Sequence, residues 1–148
     1  MTKFKIFFIA LILSLFMSAC NSQEKTQELK ICPQCNMELP SSNIHTSTIS
    51  RDGDMYYFDD PGCMILWAKK NNIQCKDVEA KIFSNDTKKY IDVMSAFYTI
   101  NEKTPMLYGF SAYEKEIENS ITFKEVKMKM LRGEHMANPK IRKQILGY

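Results

Sequence analysis

Apolar residues run almost without interruption from Ile6 to Met17, after Lys3 and Lys5 and before the small pair Ser18-Ala19. A short apolar run between a basic start and small residues is the pattern of a secretory signal, here residues 1–19. The run is too short for a comfortable membrane span. From Asn21 to Leu29 the chain is polar with no apolar period and reads as a flexible tether, residues 20–31.

Beyond Ser42 the pattern changes to alternation. Ile44, Thr46, Thr48 and Ser50 fall on one face, and His45, Ser47 and Ile49 on the other, which predicts a strand. Arg51-Asp52-Gly53-Asp54 supplies a hairpin turn, because Asp-Gly accepts positive φ, and Met55-Tyr56-Tyr57-Phe58 is the return strand. Asp59 or Asp60 can cap a following helix with Pro61 in its first turn. That helix carries Met64, Leu66, Trp67 and Ala68 to about Asn71-Asn72. A weaker second copy is expected after it. Ala80–Phe83 with Tyr90–Met94 reads as one hairpin, and Ala96–Ile100 with Met106–Phe110 as another, with a helical stretch starting at Ser111 or Ala112. Phe123, Val126, Met130 and Leu131 then share one face of a helix over Ile121–Leu131.

A length of 148 residues suggests one compact domain or two very small ones. Loss of the signal would leave 18 basic against 17 acidic residues, a balance that argues against nucleic acid as a partner. Lys124, Lys127, Lys129, Arg132, Lys140, Arg142 and Lys143 give the C-terminal part, residues 113–148, a basic helical character. A solvated helix face explains it, and a patch for anionic lipid headgroups or an acidic partner is the sharper alternative.

The candidate chemistry is sulfur. Cys32-Pro33-Gln34-Cys35-Asn36-Met37 precedes the first hairpin, and Asp59-Asp60-Pro61-Gly62-Cys63-Met64 follows it. Thiolates and thioethers are soft ligands that select Cu(I) over hard cations. The prolines and the lack of a helical stripe make Cys32 to Ser42 a loop, where ligands can be offered from a rigid scaffold. A zinc-stabilised interaction domain would need a quartet, for which Cys32, Cys35, Cys63 and Cys75 are available. A thiol-disulfide oxidoreductase would need Cys32 at a helix N-terminus, and Met37-Glu38-Leu39-Pro40-Ser41 does not sustain a helix. The four thiols could also form two disulfides in three connectivities. No Ser/His/Asp set, P-loop or dinucleotide fingerprint occurs, so a non-enzyme is expected.

Leu15-Phe16-Met17-Ser18-Ala19-Cys20 reads as a bacterial lipobox, with Cys20 the lipidated residue. Together with Cys32-x-x-Cys35-x-Met37, Tyr57-Phe58-Asp59-Asp60-Pro61-Gly62-Cys63-Met64, Ser95-Ala96-Phe97-Tyr98 and Pro105-Met106, in that order, it resembles the NosL family. These are lipid-anchored accessory proteins of nitrous oxide reductase maturation. The resemblance runs to about Ser111 and implies an α+β fold of two small ββα, treble-clef-like units over residues 32–112. It further implies a Cu(I) metallochaperone, held by its lipid in the cell envelope and facing the periplasm. Copper would pass to a periplasmic protein or a complex linked to an ABC transporter. Two departures stand out. Asn36 occupies a position where the family usually has Gly, and Asn is the next-best residue for a left-handed backbone. The tail beyond Ser111 does not match the family's usual ending.

Within this picture Cys35 supplies the dominant thiolate. Met37 and Met106 add neutral thioethers that let the ion leave, and Cys32 and Cys63 are further candidate ligands. His45 reads as a surface strand residue, and Met55, Met64 and Met94 as core. Met128, Met130, His135 and Met136 read as helix packing rather than as a second copper site.

Overall fold

A computed structural model describes residues 29–148. The expected signal peptide, lipidation residue Cys20 and the tether up to residue 28 lie outside the described residues. No helix among the described residues is long and apolar enough to cross a membrane.

The first alternating stretch forms β1 (Ser47–Arg51) and β2 (Asp54–Phe58). They pair antiparallel from Ser47 opposite Phe58 to Arg51 opposite Asp54. Asp52 and Gly53 both take positive φ, 54° and 90°, as the two-residue hairpin turn requires. Helix α1 (Pro61–Lys70) follows at once. Of the two adjacent carboxylates, Asp60 is the cap, and its side chain accepts from Gly62 N at 2.8 Å. Lys69 and Lys70 sit in the last turn, where the helix dipole favours positive charge.

A single 3₁₀ turn (Cys75–Asp77) leads to β3 (Glu79–Phe83) and β4 (Tyr90–Asp92), the expected hairpin. Strands β5 (Phe97–Thr99) and β6 (Ser111–Tyr113) form a separate two-stranded sheet. They are followed by α2 (Phe123–Arg132) and α3 (Pro139–Leu146). Among the described residues the fold is therefore α+β with antiparallel sheets and three helices. The order ββα occurs twice, as β1-β2-α1 and β5-β6-α2, and the two helices pack on each other.

The four-stranded sheet runs β2-β1-β3-β4. Strand β1 is hydrogen-bonded on both edges, and the consecutive residues Ser47, Thr48 and Ile49 are all buried. Successive side chains of a strand point to opposite faces, so both faces of β1 are covered here. The polar half of its alternation is thus internal. His45 corrects another expectation. It lies in the turn before β1 with φ 67°, half-buried, its Nδ1 2.9 Å from Ser111 Oγ. Burial depresses its pKa, so the ring is held neutral.

The strand expected over Met106–Phe110 is a loop. Leu107 (φ 58°) and Gly109 (φ 90°) are left-handed, which breaks extension, and the partner of β5 begins only at Ser111. The helix expected from Ser111 or Ala112 is consequently strand β6. Helix α2 begins at Phe123 behind a capping box in which Thr122 and Glu125 satisfy each other's backbone donors. Its residues Phe123, Val126 and Met130 enter the same core as Ile49, Phe58, Met64, Ile82 and Tyr98. Met64 is fully buried as expected, whereas Met55 and Met94 are nearly half exposed, because β2 and the turn after β4 lie at sheet edges. Met130 and Met136 are buried and Met128 is exposed.

Candidate metal centre

The loop before β1 is closed by short-range backbone bonds. Cys32 N donates to Met37 O and Asn36 N to Cys32 O, both at 2.9 Å, and Ile31 bridges Glu38. The return needs one left-handed residue, and Asn36 takes that role at φ 60°. The resulting knuckle carries Cys32 and Cys35 on one turn of chain.

The opposite wall is the end of β2 and the start of α1. Asp60 is engaged as the helix cap, which leaves its neighbour Asp59 free to turn to the knuckle. Cys35 Sγ donates to Asp59 Oδ1 at 3.3 Å. Cys63 stands in the first turn of α1, so the start of the helix fixes where its sulfur sits. The ligand atoms of Cys32, Cys35, Asp59 and Cys63 all lie within 4.8 Å of one another. Tetrahedral coordination at a metal–sulfur distance of about 2.3 Å places sulfurs about 3.8 Å apart. Small side-chain rotations would therefore suffice to close the group on an ion.

Two further observations fit a metal. All three cysteines are free thiols. Asp59 is fully buried, and its Oδ2 has no hydrogen-bond partner. An unpartnered buried carboxylate oxygen is costly, and coordination to a cation removes that cost. The group is thus able to hold a metal ion through three sulfurs and one carboxylate.

The protons are unevenly held. The thiolate of Cys32 accepts from the Cys63 thiol, which outweighs burial and brings Cys32 down to about 6. Cys63 holds its proton well above the usual thiol range, because of that same bond and because it is buried beside Asp59. Burial pushes Cys35 up to about 12. An ion that takes all three sulfurs as thiolates must therefore displace the protons of Cys35 and Cys63 near neutral pH, and that of Cys32 too in acid. The logarithm of the affinity should rise with pH at a slope of about two between pH 7 and 8.5, steepening to about three below pH 6. Chelator competition across that range checks it, and a flat profile would mean that the sulfurs do not bind as thiolates.

Three of the residues singled out from the sequence, Cys32, Cys35 and Cys63, are brought together. Met37 is beside them in sequence but 46% exposed, and its carbonyl is what closes the knuckle. Met106 is half-buried on the loop facing α1, with its backbone N donating to Asp60 Oδ2 at 3.1 Å. Cys75 does not belong to the group and lies buried in the 3₁₀ turn, so the Cys₄ quartet is not formed. Asp59 was missed as a ligand because either acidic residue could have served as the cap. No family model matches the chain, and no curated protein or solved structure matches it either.

Proposed function

We propose that this chain is a Cu(I) carrier of the cell envelope, anchored by a lipid on Cys20, that delivers copper for assembly of nitrous oxide reductase or a related envelope cuproenzyme. The observation that carries the reading is the convergence of Cys32, Cys35 and Cys63, three soft donors sufficient for the low coordination numbers of Cu(I). Cys35 is only half-buried, so the site has one open side through which an incoming ligand can attack. Met37 on the knuckle and Met106 on the facing loop supply neutral thioethers for hand-over. The ordered motifs that resemble the NosL family point to nitrous oxide reductase as the receiving enzyme, through a periplasmic protein or an ABC-transporter-linked complex. Binding and release of an ion, rather than catalysis, is the role. The turn after Cys35 does not continue into a helix, which is against a dithiol oxidoreductase.

Asp59 favours a second reading. Three thiolates and a carboxylate also make a tetrahedral zinc site, with the zinc serving structure. Competition decides between them. The reduced protein is titrated with Cu(I) against a Cu(I) chelator and, separately, with Zn²⁺ against a zinc chelator. The carrier reading expects one Cu(I) per chain, displacing bound zinc. A zinc complex that Cu(I) fails to displace would overturn it. The anchor is tested apart from the metal: Cys20→Ala should leave the membrane fraction, and retention there would refute lipidation.

A further inference from the structure

The loop Thr104–Gly109 is tied to the metal-bearing end of α1 by contacts that the cluster itself does not need. Asp60 is fully buried and uses its two oxygens differently. Oδ1 caps α1 through Gly62 N, while Oδ2 accepts from Met106 N, 46 residues away. The loop is braced from within, since Leu107 N donates to Thr104 O at 2.9 Å and Gly109 N to Thr104 Oγ1 at 3.2 Å. Its middle residue, Leu107, is an exposed leucine at φ 58°, a conformation that a bulky side chain adopts only when its surroundings impose it. Tyr108 lies against Gly62 so closely that a Cβ there would sit 2.2 Å from its ring. Gly62 is the residue immediately before Cys63. The ring therefore borders the cluster at Cys63; burial raises the Tyr108 hydroxyl to about 12, with Cys63, Asp60, Cys35 and Asp59 adding to it.

We propose that Thr104–Gly109 is a strap over the metal centre, that Asp60 is the positioning residue that latches it, and that its opening sets the rate at which metal enters and leaves. The inference rests on the cluster being the metal site. The strap requires Gly62, because a side chain there would keep the Tyr108 ring off the first turn of α1. The far end of the loop is fixed, since Tyr108 O accepts from Met136 N at 3.0 Å and Gly109 O from Glu102 N at 3.1 Å; the part around Met106 and the strained Leu107, tied to α1 through Asp60, is the part suited to two positions.

Asp60→Asn separates the latch from the cap. The amide oxygen can still accept from Gly62 N, while the NH₂ group meets Met106 N, donor against donor. Two measurements on the full reduced chain test the proposal. First, amide hydrogen exchange in the metal-free protein should show Met106 losing protection while Met64 in α1 keeps it. Second, Cu(I) uptake from a chelator complex and Cu(I) release to excess chelator should both speed up by about ten- to hundredfold, the range expected for losing one hydrogen bond to a charged group. Equal acceleration in both directions is the signature of a gate. Gly62→Ala, which drives the ring off α1 from the other side, should accelerate both in the same way. Release that speeds up with uptake unchanged would overturn the strap, since it would mean that Met106 is a resident ligand. Unchanged rates in both variants, in a protein that binds Cu(I) normally, would also overturn it. A wild-type chain that binds no Cu(I) but still loses Met106 protection on Asp60→Asn would refute the carrier reading and leave the latch standing.

Discussion

Replacing Cys63 by serine should lower the Cu(I) affinity of the reduced protein by about a hundredfold, and Cys32→Ser and Cys35→Ser should do the same. The free energy with which small thiolate sites take up a metal, divided over four ligands, is about 3 kcal/mol for each, which is about two decades in affinity. Cys32 and Cys63 are both fully buried and Cys35 half-buried, so no solvent-borne ligand can readily replace a missing sulfur on the inner side. Cys75→Ser is the internal control. It removes a buried thiol outside the group and should leave affinity within about twofold, even if it costs some stability. Competition titrations on the four variants, with circular dichroism to check folding, give the comparison. A silent Cys63→Ser beside a damaging Cys35→Ser would shift the site to the knuckle, with Met37 and Met106 in place of Cys63.

Phe123→Ala should cost about 3–5 kcal/mol of stability, the usual range for emptying a buried aromatic site. Phe123 is 3% exposed, and its ring lies 6.0 Å from that of Tyr98, a fully buried residue of β5 that donates to Val93 O at 2.8 Å. The pair joins α2 to both sheets, because Val93 follows β4 and Tyr98 N and O are bonded to Ile121 at 2.9 and 2.8 Å. At about 4 °C per kcal/mol for a chain of this size, the thermal midpoint should fall by about 12–20 °C. Lys124→Ala, one position on and on the exposed side, should barely move it. A small effect of Phe123→Ala would mean that residues beyond Tyr113 fold as an appendage instead of as part of the core.

What could be read in the sequence was what local rules decide. Asp52-Gly53 fixed the first hairpin, Pro61 the start of α1, and the spacing of Phe123, Val126 and Met130 the buried face of α2. The left-handed Asn36 was also foreseeable, since a tight return between Cys35 and Met37 leaves few residue types. Long-range pairing was not. Whether β1 has one neighbour or two depends on β3, some thirty residues later, and a strand with two neighbours can bury serines and threonines that alternate as if exposed. The displaced partner of β5 had the same origin, because Leu107 carries no local signal for positive φ and only the contacts of its loop impose it. In the site, the sulfurs announced themselves and Asp59 did not. Two adjacent aspartates before a proline are equivalent on paper, and the difference between cap and ligand is one of direction in space.

The central place of β1 also bears on where the metal centre could be moved. Residues 29–72 carry all three cysteines, Asp59, the first hairpin and α1, and look like a portable cassette for grafting into another scaffold. Cut there, however, the segment would lose β3 and leave the inner edge of β1 as a row of bare backbone donors and acceptors, from Ser47 to Ser50. Such an edge invites pairing with a second copy. It would also lose the Met106 bond to Asp60 and the Tyr108 ring beside Gly62. A transplant that keeps the ion therefore has to bring a surrogate for β3 along its open edge, and a host loop that can stand in for Thr104–Gly109.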